Sequence, residues 1–356
     1  MNKPELPSSF GILAGEIAKA FDSINEPALV LDRADEEWDE SSREPLSDHM
    51  PAVMRVVSLQ RALTPEGRIR NRAVLFHESC SLSVDWISQH VDSRLHRHGL
   101  VIIRPAQTIR CGDGAIRIQR LLPADRPLPS ENLFRTIPPS WCKDRALVSR
   151  AIDLWNALPR PLAHLVNAML WESSRFHRFV MGPSSLNGHH SGWNGNFRHS
   201  VETAELARDI GQRSPLANVP LLIAAGLLHD VGKADEYSYD RSLGAFNLST
   251  RGELIGHRDT LVGWLAVARS IYGVVMPDDL YYALCHTIHA VSHAPRYLGL
   301  REARCIEAKI LSSADGLSGG HDLHVRNAPE DGEAGFGRYH RHFGHRIYLT
   351  PRCNHE

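Results

Sequence analysis

The sequence predicts an α+β chain of two folded modules, a small β-barrel followed by an all-α domain. Two observations carry this. Short β-rich pieces separated by turn residues fill residues 51–125, and beyond residue 144 apolar residues recur at helical spacing. The length of 356 residues is enough for two separate cores.

The formal charge of −1 demands neither a nucleic acid nor a membrane as partner. The balance is uneven, however. Residues 1–50 hold 12 acidic side chains against 4 basic ones, and residues 55–120 hold 11 arginines against 5 acids. A neutral total therefore conceals a basic module. The 6 cysteines are scattered without a CxxC pair, so neither a zinc knuckle nor a disulfide framework is signalled. The N-terminal stretch lacks the basic and then apolar pattern of a signal peptide, and no apolar run reaches the ~18 residues of a membrane span. A cytoplasmic protein with no membrane partner is expected.

Residues 8–22 have helical spacing, and the acidic stretch up to residue 50 reads as a solvated loop. From Arg55, "RVVSLQRAL", "RNRAVLFHES", "CSLSVDWI", "HGLVIIRPAQTIRC" and "GAIRIQRLLPAD" read as strands, with a helix expected in "WISQHVDSRLHRH". About five short strands suit an OB-like barrel, a fold whose open face commonly binds single strands. A final hairpin is expected around Gly112–Gly114. Arg104, Arg110, Arg117 and Arg120 lie on or near it, and Phe76 and Trp86 are candidates for stacking on bases, against the alternatives of a solvated face and a core residue. Residues 126–143, rich in proline and polar residues, read as a linker. Residues 144–320 form the helical domain. The tail, 321–356, ends in a strand-like "HRIYLT" with no function attached.

The chemistry sits in the helical half. The apolar run "PLLIAAGLL" stops abruptly at His229 and Asp230, with Gly232 and Lys233 just beyond. Burying ionisable groups is costly unless they are paired or bound to metal. His199 opens the helix "FRHSVETAELA", and Asp315 sits where the apolar face of "EAKILSSADGLS" ends. Imidazole and carboxylate from three helix ends make a compact set of ligands for a divalent cation. Adjacent helical residues point about 100° apart, so His229 and Asp230 reach one ion only if it lies just off the helix end. Lys233, after a glycine that frees the backbone, supplies positive charge to a phosphate oxygen.

The pattern H199…HD(229–230)xGK(233)…D315 resembles the HD-domain phosphohydrolases. The segments "GHHSGWNGNFRHSVETAELA", "AAGLLHDVGKADEY", "GELIGHRDTLVGWL", "SHA" and "EAKILSSAD" follow in order those of YhaM-type 3′-5′ exoribonucleases, which carry an OB-fold ahead of an HD domain. The HD-type domain of MobH relaxases is similar as well. The resemblance covers residues 180–320 and implies metal ligation by His199, His229, Asp230 and Asp315. It adds His257, and a later histidine best matched by His293, with His289 and His286 as competitors. These extra histidines hold a second ion in two-metal members. Ala294 and Pro295 replace the family's His-Gly there, and "NGNFRH" replaces "GGLLEH". His189 and His190, in the loop before the first ligand, are read either as phosphate contacts or as loop structure.

The expected activity is metal-dependent phosphodiester hydrolysis, with one or two divalent ions activating water. Asp230 orients the nucleophile, as the resemblance implies, and Lys233 stabilises the transition state. A thiolate-free, His-rich donor set ranks Mn²⁺ first, ahead of Fe²⁺ or Mg²⁺. The expected substrate is the 3′ end of single-stranded RNA or DNA, with Arg104 and Arg117 feeding the strand. Two other readings stand beside it: a small-nucleotide phosphohydrolase acting on a dNTP, alarmone or cyclic dinucleotide, and a non-catalytic nucleic-acid-binding or mobilisation protein. A homo-oligomer is compatible with all three.

Overall fold

The computed structural model describes residues 50–104, 109–110, 114–290, 301–330, 332–341 and 343–351. The expected helix at 8–22 lies outside these. The chain divides into two compact units, residues 1–125 and 126–356.

In the first unit β1 (Met54–Leu63), β2 (Ile69–His77) and β3 (Cys80–Ser88) form an antiparallel meander. β4 (Leu100–Arg104) pairs antiparallel with the start of β1. β5 (Ile109–Arg110) and β6 (Ile116–Arg117) are the expected final hairpin, and β7 (Arg120–Pro123) follows. The sheet order is β5-β6-β3-β2-β1-β4-β7. β6 runs parallel to β3 and β7 antiparallel to β4, with only Ile118 and Gln119 between them. One short run therefore reaches both sides of the meander, and the sheet curls. Period-2 burial along β2, with Asn71, Ala73, Leu75 and His77 inward, fills the concave side. Arg55, paired with Phe76 on the opposite face, is also fully buried, donates to the His98 carbonyl at 2.8 Å, and is pushed down to about 9 by burial.

One expectation fails in this unit, and of the two readings of Trp86 the core residue holds. "WISQHVDSRLHRH" is not a helix: Trp86–Ser88 complete β3 and a loop follows. The Asp92 side chain accepts from the Arg94 backbone N–H, Arg61 donates to the Asp92 and Leu95 carbonyls, and His98 adopts φ 73°. These local bonds outcompete a helix. Trp86 is 3 % exposed and packs in the core of the first unit with Met54 and Leu75, so it cannot stack on a base.

The second unit contains α1 (Arg145–Asn156), α2 (Arg160–Leu170), α3 (Ser173–Met181), α4 (Gly195–Gly211), α5 (Val219–Leu228), the single turn α6 (Lys233–Glu236), α7 (Thr250–Leu254), α8 (Gly256–Ile271), α9 (Asp278–His289) and α10 (Ile306–Asn327). It is not all-α. Two antiparallel hairpins interrupt it, β8–β9 (Tyr237–Asp240, Ala245–Leu248) and β10–β11 (Gly335–His340, His345–Leu349), the latter containing the strand expected in the tail. The expected linker is also packed structure. Leu133, Phe134 and Ile137 are fully buried, and Asn167 of α2 donates to the Leu128 and Glu131 carbonyls. Its prolines shape an irregular path without loosening it. No helix among the described residues is long and apolar enough to cross a membrane.

α5 is the central rod. It is apolar all round and buried from Leu221 to Leu228, as a helix surrounded by others must be. Asn218 caps it by accepting from Leu221 N–H at 3.1 Å. Leu222 of α5 packs with Ala207 of α4 and with Ile310 and Ala314 of α10. The α4–α5 crossing is close enough that a Cβ on Gly226 would lie 2.5 Å from Ala204 Cα. The contact is with backbone, so no rotamer change relieves it. Gly226→Ala should lower stability by ~1–3 kcal/mol despite the better helix propensity of alanine, read as a reduced denaturation midpoint at unchanged m-value.

Candidate metal centre

The N-terminal part of α4, the C-terminal end of α5 and the middle of α10 converge; α10 runs on past Asp315 to Asn327, with Ser318 and Leu323 still buried, so the apolar face does not stop at Asp315 as expected. His199 is fully buried on α4, His229 terminates α5, and Asp230 follows at 5 % exposure. His199 Nε2 lies 3.3 Å from His229 Nε2, 3.4 Å from Asp230 Oδ2 and 3.0 Å from Asp315 Oδ1. His229 Nε2 is 3.5 Å from Asp230 Oδ2 and 3.8 Å from Asp315 Oδ1. Two donors each about 2.1 Å from one cation sit about 3.0–3.4 Å apart at octahedral or tetrahedral angles. The observed spacings fit that geometry, and His199, His229 and Asp230 form a group able to hold an ion.

Three histidines present the same atom to this point. His229 Nδ1 is held by the Gly226 carbonyl at 2.8 Å, and His199 Nδ1 by Ser318 Oγ at 3.1 Å. His257, at the start of α8, is held through Nδ1 by Glu236 at 2.5 Å, and its Nε2 faces Asp230 Oδ1 at 3.6 Å. Anchoring Nδ1–H leaves the Nε2 lone pair facing inward, the tautomer a metal requires. His257 reaches this place because Gly232 admits it: a Cβ there would lie 2.1 Å from the His257 carbonyl oxygen. Gly232 itself has ordinary helical angles, φ −57° and ψ −23°. Its role is close approach, not the backbone freedom expected from the sequence.

Burial opposes ionisation of Asp230, but the Lys233 ammonium at 2.6 Å and the imidazoles of His229, His199 and His257 hold its carboxyl far below the usual range. Asp315 is likewise penalised by burial and held low by the neighbouring imidazoles of His199 and His229. Burial pulls His199 down. It also penalises His229, where Asp230 and Asp315 prevail and raise it. Lys233 also donates to Ser184 Oγ at 3.2 Å.

Of the other expected residues, His189 lines the same cavity as Asp230, Lys233 and Asp315. Its Nε2 is 3.2 Å from Ser184 Oγ, and burial with nearby His199 and Lys233 lowers it to about 4, so it is neutral at pH 7. His190 lies behind the ligands. Its ring nitrogens face Glu202 at 3.3 Å and Asp322 at 3.6 Å, which fits the loop-structure reading. His286 accepts from the Arg304 backbone N–H, and His289 Nε2 meets the carbonyl of Arg258, the neighbour of His257. His293 lies outside the described residues. Arg104, exposed at the end of β4, and Arg117, beside Asp85 across the β3–β6 pairing, belong to the first unit.

Sequence reasoning missed the supporting groups: Ser318, Glu202, Asp322, Glu236, Ser184 and Asn196. Asn196 donates to the Asp230 carbonyl at 3.1 Å. A signal existed for part of this set, since Asp315, Ser318 and Asp322 share one face of α10 at helical spacing. Arg258, also lining the cavity, was missed too.

Residues 196–320 match the family model described as HD domain, and this segment is an HD domain. Curated relatives lie among 3′-5′ exoribonucleases. The YhaM of Geobacillus sp. (strain WCH70) is 32 % identical over 97 residues, 27 % of this chain and 29 % of that protein. The YhaM of Bacillus licheniformis is 27 % identical over 139 residues, 39 % of this chain and 43 % of that protein. The match thus spans less than half the length of either relative. No solved structure matches the chain.

Ser318→Ala and Glu236→Gln each leave the inner donors in place but release one Nδ1 anchor. Each should weaken divalent-metal affinity by about 10–100-fold, measured by chelator competition, with little change in far-UV circular dichroism.

Proposed function

We propose that the chain is a metal-dependent phosphodiesterase acting as a 3′-5′ exonuclease on single-stranded RNA or DNA. The observation that carries the reading is the convergence of three Nε2 atoms with Asp230, joined by Asp315 beside His199 and His229. The nucleic-acid substrate and the polarity rest on the likeness to proteins named 3′-5′ exoribonucleases.

His199, His229, Asp230 and Asp315 would hold the ion, with His257 beside Asp230 available to a second. The nitrogen and oxygen donor set favours Mn²⁺, then Fe²⁺ or Mg²⁺. When bound, such an ion supplies an activated water and offsets charge at phosphorus. Asp230 stays ionised and orients the attacking water. Lys233 has one donor left beyond Asp230 and Ser184, and directs it at a non-bridging phosphate oxygen. Neutral His189 offers a hydrogen bond at the cavity wall. Arg258 adds positive charge at the cavity for the incoming backbone.

In the first unit, the strand pairing supports an OB-like module. Arg104 and Arg120 are direct cross-strand neighbours on β4 and β7 and are both exposed, as backbone contacts require.

The test offers the purified chain with Mn²⁺ single-stranded RNA and DNA labelled at either end, dNTPs and cyclic dinucleotides. Stepwise shortening from the 3′ end is expected, and His229→Ala and Asp230→Ala should each abolish it, with a loss of at least about 10³-fold. Turnover of dNTPs or cyclic dinucleotides alone would assign a small-nucleotide hydrolase, and polymer cleavage surviving both substitutions would refute the metal mechanism.

A further inference from the structure

Trp193 is the feature of the second unit that neither packing nor metal binding uses. Trp86, Trp141, Trp155 and Trp171 are all at most 7 % exposed, whereas Trp193 is 53 % exposed. Its ring lies 4.8 Å from Tyr239 of β8 and 4.9 Å from Phe246 of β9, and those two are 5.1 Å apart. Tyr239 is itself 41 % exposed. Three rings thus gather at the surface, where burial rewards none of them fully.

The backbone that presents Trp193 is held firmly. His190 and Asn194 adopt left-handed angles, φ 45° and 61°. Asn194 donates from its side chain to the Trp141 and Val180 carbonyls at 2.8 and 2.7 Å, and from its N–H to Met181. Gly195 sits so close to the His190 carbonyl oxygen that a Cβ would be 1.9 Å from it. Strain maintained by surrounding bonds, around an exposed aromatic, is typical of a functional loop.

Both segments that form the cluster continue directly into the site. Trp193 lies between His189 and the helix bearing His199. Tyr239 lies three residues after Glu236, the anchor of His257, and the intervening Tyr237 is near enough to Asp230 to feel its charge. Lys233 and Arg258 make the cavity at the metal site, which His189 also lines, attractive to phosphate.

We propose that Trp193, backed by Tyr239 and Phe246, is a stacking platform for one nucleobase of a single-stranded substrate whose backbone enters the metal site. The inference rests on the nucleic-acid reading above and adds a named contact to it. An aromatic face accepts any base, so the contact sets affinity and register without sequence preference.

The test uses the full chain in EDTA, so that no strand is cut. Fluorescence anisotropy gives the Kd for a short labelled single strand and for versions with one abasic residue placed at successive positions from the 3′ end. One abasic position should weaken binding to the wild type by about tenfold, and Trp193→Ala should weaken the intact strand equally. The two losses should not add. Trp193→Phe should retain most of the affinity, which separates stacking from a folding defect. Additive losses, or unchanged binding by Trp193→Ala, overturn the platform while leaving the exonuclease reading intact. A wild type that binds no single strand overturns both.

Discussion

A carboxylate that is almost out of water governs this molecule. Asp230 follows the most apolar helix among the described residues and is hardly exposed, yet its surroundings keep it charged. Such a group persists only where opposite charge and hydrogen-bond donors surround it. Lys233, His199, His229 and His257 meet that demand from three segments distant in sequence. The segments that carry them must therefore meet at one point, and the fold is the arrangement that brings them together.

The support is layered outward from that point. Backbone or side-chain acceptors hold Nδ1 of each histidine, and those acceptors are tied in turn. Ser318 donates to Glu202 at 3.0 Å, and Glu202 and Asp322 enclose His190. Side chains held at both ends lose little further freedom when a ligand arrives, so the inner donors are preorganised. Close backbone approach contributes as much as bonding. Gly226 brings α4 onto α5, and Gly232 brings the start of α8 onto Asp230.

Much of the inner set was legible because polarity changes abruptly along the sequence. His229 and Asp230 interrupt an apolar run, and Asp315 follows the buried Ala314. The outer set was not, because serine, glutamate and asparagine occur on every exposed helix face, and only the three-dimensional fold shows which of them turn inward. The β8–β9 hairpin escaped for a different reason: its strands are four residues each and mostly exposed, too short for alternation to stand out. Residues 86–98 have helix-like spacing, but only Trp86 and Leu95 join the core of the first unit and Asp92 bonds locally, so tertiary packing overrode the pattern. Trp86 shows the same limit. Its position on β3 was clear, but the face it occupies depends on how the sheet curls.

That curl also governs how the first unit can be divided. Residues 116–123 lie along β3 at one end and along β4 at the other. A fragment stopping short of Ile116 would uncover main-chain N–H and C=O groups on both strands, a ready template for pairing with neighbouring molecules. Solubility of this unit in isolation thus depends on a few residues at its C-terminal end, and any dissection of the chain must keep them attached.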